Sequence, residues 1–568
     1  MNTPFVRVLS VFGYRPFVAM CVLAAGFFAG EPARAETGSG WRSALYPKNW
    51  TPEFADEQGR FLYDFSYAGY HRGEVPLPDI SGPVIDVTQA PYLADASGAK
   101  DATMAIQAAL DAAAQTGGGV VYLPAGTYRV APPADAVAAL RVEGDHVVLR
   151  GAGAERTFVF NDSVEMRNKR VIQVKAKDSG WWFAEAGKGS ASALTKDVLR
   201  PSVRVEVMDA SPFKAGDPVI LRIDPTPRFI EEVGMTGKWV ADEKTPKAKR
   251  NNLTLVYSRR VVVVEGNVLV LDVPTRLPLR VADNARVQKL GGHSVQEAGL
   301  EDFSIGMKQH PATEWSAEEG FEKAGTGPYD VHQSYAIAFE GMENCWVRRV
   351  RTYAPAGNDP KIHLLSNGLL MGRGRLMTVE GCDFGFPQYR GGGGNGYMYV
   401  LHGNEGLIRD SRAEGGRHNY DFGLMSSSGN VIYRCTAKDG RLFSDFHMYL
   451  SAANLIDNVT CDGDSFEANF RPYGGTPMHG MSTTQSVFWN LNGLRYSSET
   501  VAWEGSSFNR KPSLVLTKGL RDIYIIGTRG PASKVLADDG AFAEGIGKGD
   551  GLQPQSLYAD QLARRLRR

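Results

Sequence analysis

The chain has no surplus of either charge, 63 lysines and arginines standing against 63 aspartates and glutamates. That excludes a global field able to gather nucleic acid, so any strongly charged partner has to be met by a local patch. Cysteine is nearly absent, five in 568 residues. Cys21 lies inside an N-terminal apolar run, and Cys345, Cys382, Cys435 and Cys461 form no CxxC pair or His/Cys cluster. Zinc ribbons and zinc fingers are thereby removed. Long apolar runs are missing too: the best, Phe17–Gly30, falls short of the about 20 residues a membrane helix needs. GRGR at 372–375 and GGGGNG at 391–396 lack the strand–turn–helix setting of a nucleotide-binding loop, and no nucleophile-elbow GxSxG stands in a convincing context.

Arg7 and Arg15 precede the apolar run, and Ala33-Arg34-Ala35 follows it. A basic region, an apolar region and an A-x-A site make a cleavable signal peptide over 1–35. The expected compartment is periplasmic or secreted, with no membrane contact after cleavage.

Glycine, by contrast, is plentiful, 64 of 568 residues, against a usual level of about 7%. Much of it punctuates a repeat. GLIRDSRAEG (406–415), NVIYRCTAKDG (430–440), NLIDNVTCDG (454–463) and, more loosely, LMTVEGCDFG (376–385) align on Val379, Ile408, Ile432 and Ile456. The spacings are 29, 24 and 24 residues, with looser copies centred on Val347 and Phe488. Short apolar strands between polar corners at such a period mark a solenoid, and the weak helical periodicity selects a parallel β-helix. Cys382 and Cys435 share one offset with Ser411 between them. Two coils then separate the thiols by about 9.6 Å, too far for a disulfide, so both are packing residues.

DATMAIQAALDAAA (101–114) reads as an amphipathic helix capped near Asp101, with Ile106 and Leu110 on one face. The glycines 117–119 end it, and VVYLP and AGTYRV follow as two strands around a turn. Gly117-Gly118-Gly119, Val121-Tyr122-Leu123-Pro124 and Gly126-Thr127-Tyr128 resemble the opening of the pectate-lyase-like superfamily of right-handed parallel β-helix proteins. The stretch ASGAKDAT (96–103) departs from that family's usual GAxGDGxxDDT. The resemblance implies an all-β fold, one right-handed parallel β-helix with an N-terminal capping helix, and polysaccharide lyases and glycoside hydrolases as relatives. Along the chain we expect an irregular segment at 36–82 lying across the first coils, the cap and first coils at 83–202, and a β-rich insertion at 203–290 with a charged loop at 241–251. The main coils are expected at 291–535 and a C-terminal cap at 536–568.

Counting forward from each anchor places Asp421-Phe422-Gly423, Asp445-Phe446-His447 and Asn469-Phe470-Arg471 at one offset. Alternate strand residues face opposite ways, so Phe422, Phe446 and Phe470, with Leu424 and Met448, should point into the core. Allowing five extra residues for the loop Arg390–Gly394, one outward column reads Tyr397, Asp421, Asp445, Asn469. The next reads Tyr399, Gly423, His447, Arg471, with Gly423 leaving a gap for a ring, and a third reads Leu401, Met425, Tyr449, Tyr473. Arg417, His418 and His479 flank the patch.

Two chemistries suit this set. In β-elimination on a uronic acid polymer, His447 is the base, Arg471 neutralises the enolate-like charge, and Tyr399 is the acid or an alternative base. Asp421 and Asp445 then orient His447, or hold Ca²⁺ as in some members of the resembled superfamily. In hydrolysis, Asp421 and Asp445 are the paired carboxylates. Arg417, His418, Tyr397, Tyr449, Asn469, Tyr473 and His479 are expected to bind substrate, a polysaccharide in either case. A glycan-binding surface without catalysis is the third reading. No motif demands a cofactor, and nothing in the sequence bears on oligomeric state.

Overall fold

The structure, a computed structural model, describes residues 40–179, 189–239, 255–315, 320–472, 477–503 and 506–567. The expected signal peptide, the loop 241–251 and Tyr473 lie outside the described residues.

The repeat anchors form one ladder. Val347, Val379, Ile408, Ile432, Ile456 and Phe488 pair in register on adjacent parallel strands, and all are sealed in the core. β-Branched and aromatic side chains fit such a pleated, doubly covered surface. Successive turns of chain visit three parallel faces. The first runs from Val84–Asp86 to Ala541–Glu544, the second starts at Ser97–Asp101, and the third runs from Ala138–Val142 to Val535–Leu536. The fold is a single right-handed parallel β-helix, the hand parallel crossovers take.

One corner is turned in the same way coil after coil. Arg349, Asp410, Arg434, Asn458 and Asn490 hold left-handed φ between 50 and 56° at equivalent positions, and Gly381 takes the place at 62°. Asn, Asp and Gly bear the least strain there and fill four of these six corners, Arg349 and Arg434 the other two. Cys345, Cys382, Cys435 and Cys461 are buried free thiols.

The capping helix runs Thr103–Gln115 with Ile106, Ala109, Leu110 and Ala113 buried, and Asp101 Oδ1 accepts from the Thr103 N–H at 2.7 Å. The outer side of the first face carries Leu407, Val431, Leu455, Val487, Trp489, Tyr524 and Ile526, too apolar to leave wet. Leu45–Phe65 and the C-terminal helix cover it. Two expectations are corrected here. The N-terminal segment starts on the last coils, where Trp41 bridges Leu552, and reaches the early coils only near Tyr70 and Ile80. The C-terminal helix, Leu557–Leu566, lies along the side of the solenoid rather than over its end.

Where the coil pattern lapses, six antiparallel strands from Ala191–Ala193 to Arg286–Lys289 form a separate sheet. It is bound to the coils through a sealed triad in which Arg259 and Arg276 both hold Glu405, at 3.0 and 2.7 Å. Lys238 also reaches the late coils, donating to Gly519 O at 2.9 Å beside the Phe470 ring.

Candidate active site

The third face carries the polar cluster, on strands Tyr397–Asn404, His418–Gly423, Ser444–Met448 and Phe466–Asn469. Its register differs from the equal-spacing count. The central outward column is Val400, Asp421, Asp445, Glu467. Corner lengths between the first face and the third vary: Val400 follows Val379 by 21 residues, Asp421 and Asp445 follow their anchors by 13, and Glu467 follows Ile456 by 11.

Several placements change accordingly. Tyr399 faces the core, fully buried and stacked on Tyr420 at 5.2 Å, because Val400, not Tyr397, is the outward partner of Asp421. It is not a catalytic acid. Tyr397 pairs with His418, not with Asp421. Phe422 and Phe446 stack inward at 4.8 Å as expected, but the next place in the stack is Ala468. Phe470 only packs against the core's edge. Leu424 and Met448 are half-buried. Leu401 and Met425 belong to the core and Tyr449 packs against it, so that outward column does not exist. The gap over Gly423 is filled by His402, whose Nε2 would lie 2.7 Å from a Cβ there. Asn469 sits at the rim, donating to Glu467 Oε2 at 3.1 Å.

His447 owes its position to a β-bulge. Phe422 pairs Phe446 but Gly423 pairs Met448, so His447 is the extra residue, a device that re-aims a side chain. Asp445 is the hub. Its Oδ2 lies 3.1 Å from His447 Nδ1 and contacts Arg471 Nη2, while His418 Nδ1 is 3.3 Å from Oδ1. His447 Nε2 faces the Tyr397 hydroxyl at 3.3 Å. His418 and His479 meet the His447 ring at centroid distances of 5.4 and 5.0 Å, and Arg417 stands over Tyr397. Arg471 also binds Glu467 at 2.8 Å. Asp445 is 0% exposed, against 11% for the His447 side chain and 32% for Arg471, so the imidazole and the guanidinium are the parts open to a ligand.

The electrostatics follow the burial. Desolvation would raise the Asp445 carboxyl, but His418, His447 and Arg471 outweigh it and hold it ionised. Asp421 goes the other way, pushed well up by burial and then by Asp445. Burial lowers His447 and His418 below the ordinary imidazole value despite Asp445, lowers His402 to about 3 and His479 to about 4. The imidazoles are therefore neutral at neutral pH. His447 gives Asp445 an N–H donor, His418 Nδ1 donates to the Phe443 carbonyl instead, and Arg471 gives Asp445 charge. Burial also raises the Tyr397 hydroxyl, which stays protonated.

Two family models match the chain: a rhamnogalacturonase A/epimerase, pectate lyase-like model over residues 88–214, and a domain of unknown function, DUF4955, over 415–568. The first of these models is of the pectate-lyase-like kind that the opening of the chain resembles. Short stretches are similar to mannuronan C5-epimerase AlgE3 of Azotobacter vinelandii, 52% identical over 62 residues, 11% of this chain and 3% of that protein. Alginate lyase 7 of the same organism is 44% identical over 66 residues, 12% of this chain and 8% of that protein. The chain thus spans under a tenth of the length of these curated relatives. Similar solved structures include the tailspike gp49 of Pseudomonas phage LKA1, 11% identical with a TM-score of 0.36 over 82% of this chain and 84% of that chain. The AlgE6 A-module of Azotobacter vinelandii is 12% identical, TM-score 0.31, over 81% of this chain and 98% of that one.

The donor set at Asp421 and Asp445 does not fit Ca²⁺, which takes six to eight oxygens. His418, Asp445 and His447 do converge within 4.8 Å, yet two of the three offer nitrogen, and Arg471 already sets a positive charge on the shared carboxylate. What the arrangement offers is a neutral imidazole with its tautomer fixed: Nδ1–H donates to Asp445, leaving Nε2 as a base beside a phenol and a guanidinium. Counting at equal spacing missed His402 and Glu467. The Phe466/Phe470 pair in SFEANF was the available sign of a two-residue slip, which preserves parity and so gives no alarm.

Proposed function

We propose that this protein acts on a uronic-acid-containing polysaccharide and cleaves it by β-elimination, as a polysaccharide lyase outside the cytoplasm. The observation that carries the reading is the joint hold of Asp445 on His447 and Arg471, whose near atoms are 3.5 Å apart. Removing the proton α to a carboxylate needs a base and, beside it, a cation for the charge that develops on that carboxylate. His447 Nε2 takes the proton, the C–H pair becomes the new carbon–carbon double bond, and the β carbon–oxygen bond breaks. The leaving oxygen takes up a proton, for which the Tyr397 hydroxyl is the nearest donor to His447, in the part first given to Tyr399. Hydrolysis by Asp421 and Asp445 is disfavoured, because both carboxyls are sealed under their partners and neither reaches a sugar or its water.

Epimerisation at the same carbon is the second reading. It shares the first step and differs in returning the proton to the opposite face, and half-buried His479, on the turn Pro477–Gly480, is a group off the sheet that favours it. Incubation with polymannuronate, alginate and polygalacturonate, followed by proton NMR of the products, separates the readings. Unsaturated non-reducing ends are the expected outcome, changed uronate configuration without chain cleavage marks the epimerase, and unaltered polymer in every case overturns both.

A further inference from the structure

Asp421 and Asp445 are partners on adjacent strands, and both are shut off from solvent. Their surroundings are unequal. His418, His447 and Arg471 all converge on Asp445, whereas the ion-pair partner of Asp421 among the described residues is His402 Nε2 at 3.4 Å. Among the described residues, each carboxyl also leaves its Oδ1 buried without a hydrogen-bond donor. Two ionised carboxylates stacked in this way repel, and buried acceptors without donors are costly. One proton lying between the two carboxyls removes both penalties, and the better-served member keeps the charge.

We propose that Asp421 is a positioning residue that works as a neutral carboxylic acid, donating its proton to Asp445 and so aiming the ionised Asp445 at His447. His402, lodged over Gly423, packs against it. The charged and titratable groups facing Asp421 are His402, Asp445, Arg417, Arg471, Tyr335 and Tyr397. The inference deepens the reading of His447 as base and rests on it.

The test is the titration of His447, followed by NMR of ¹³Cε1-histidine-labelled full-length protein without substrate. Asp421→Asn replaces a neutral donor by a neutral donor, so the His447 midpoint is expected to stay where it is in the unaltered protein. If Asp421 is instead an anion, its removal strips His447 of a nearby negative charge and the midpoint falls by about one unit or more, which overturns the proposal. Asp421→Ser serves as a second neutral donor if the amide disturbs the fold, with the same two outcomes. Turnover of a uronate polymer is measured alongside: an unshifted midpoint with no turnover in the unaltered protein refutes the lyase reading while leaving the proton assignment standing.

Discussion

His402 lies over Gly423, its Nε2 only 2.7 Å from where a Cβ at 423 would stand and 3.4 Å from Asp421 Oδ2. The site therefore uses the glycine's lack of bulk to admit a ring. Gly423→Ala meets the far end of a side chain, so the fold is expected to survive with a small fall in Tm, while the displaced imidazole loosens Asp421. Initial rates should drop several-fold. Unchanged rates would show that His402 has no part in the site.

Phe446 and His447 are chain neighbours with opposite roles. Phe446→Ala removes half of the stack with Phe422 and is expected to cost about 3–5 kcal/mol in denaturant unfolding. His447→Gln should abolish turnover with a midpoint near that of the unaltered protein. Similar instability in both variants would contradict the inward and outward assignment.

Arg471 differs from His447 because two buried carboxylates, Asp445 and Glu467, depend on it. Arg471→Ala should lose activity and also about 3–5 kcal/mol of stability, the usual result of stranding one side of a buried ion pair. Arg471→Lys restores charge without the planar fork, so unfolding midpoints are expected to recover further than rates do.

The pH dependence has two signs. His402 and His479 are neutral when folded, at about 3 and about 4 against an ordinary 6.5. The unfolded chain binds more protons below 6.5, so their contribution is lost as pH falls. Asp457, sealed where it accepts from Ser556 Oγ at 2.7 Å and the Tyr558 N–H at 2.8 Å, is raised by burial to about 7 from 3.8. Its contribution is full below the ordinary value and is lost as pH rises through about 7. Asp457→Asn should therefore match the unaltered protein below about pH 4 and exceed it in Tm by neutrality. Activity should rise with pH over the acidic range as His447 loses its proton, and hold a plateau through neutrality because Tyr397 stays protonated.

The solenoid was legible in the sequence because its anchors sit on the face with the most constant spacing: the ladder from Val347 to Phe488 matches residue for residue. The capping helix was legible from Ile106, Leu110 and the glycines that end it. Asp421, Asp445 and His447 emerged from the same count, since their corners are equal in length. Tyr399 was misplaced because Val400, not Tyr397, pairs with Asp421, and a three-residue slip reverses parity. Glu467 was hidden by a two-residue slip that leaves parity intact, and His402 by the longer corner before Tyr397. The side-on packing of Leu45–Phe65 and the C-terminal helix had no local signal, because an apolar outer face shows only once the coils are wound.

The most direct test of the central claim follows purified protein on polymannuronate and polygalacturonate by two signals together, the ultraviolet absorbance of an unsaturated uronate and the release of reducing ends, with His447→Gln in parallel. The account predicts that both signals rise in step with the unaltered protein and that neither rises with the variant. Reducing ends without the chromophore, or full activity in His447→Gln, would contradict it.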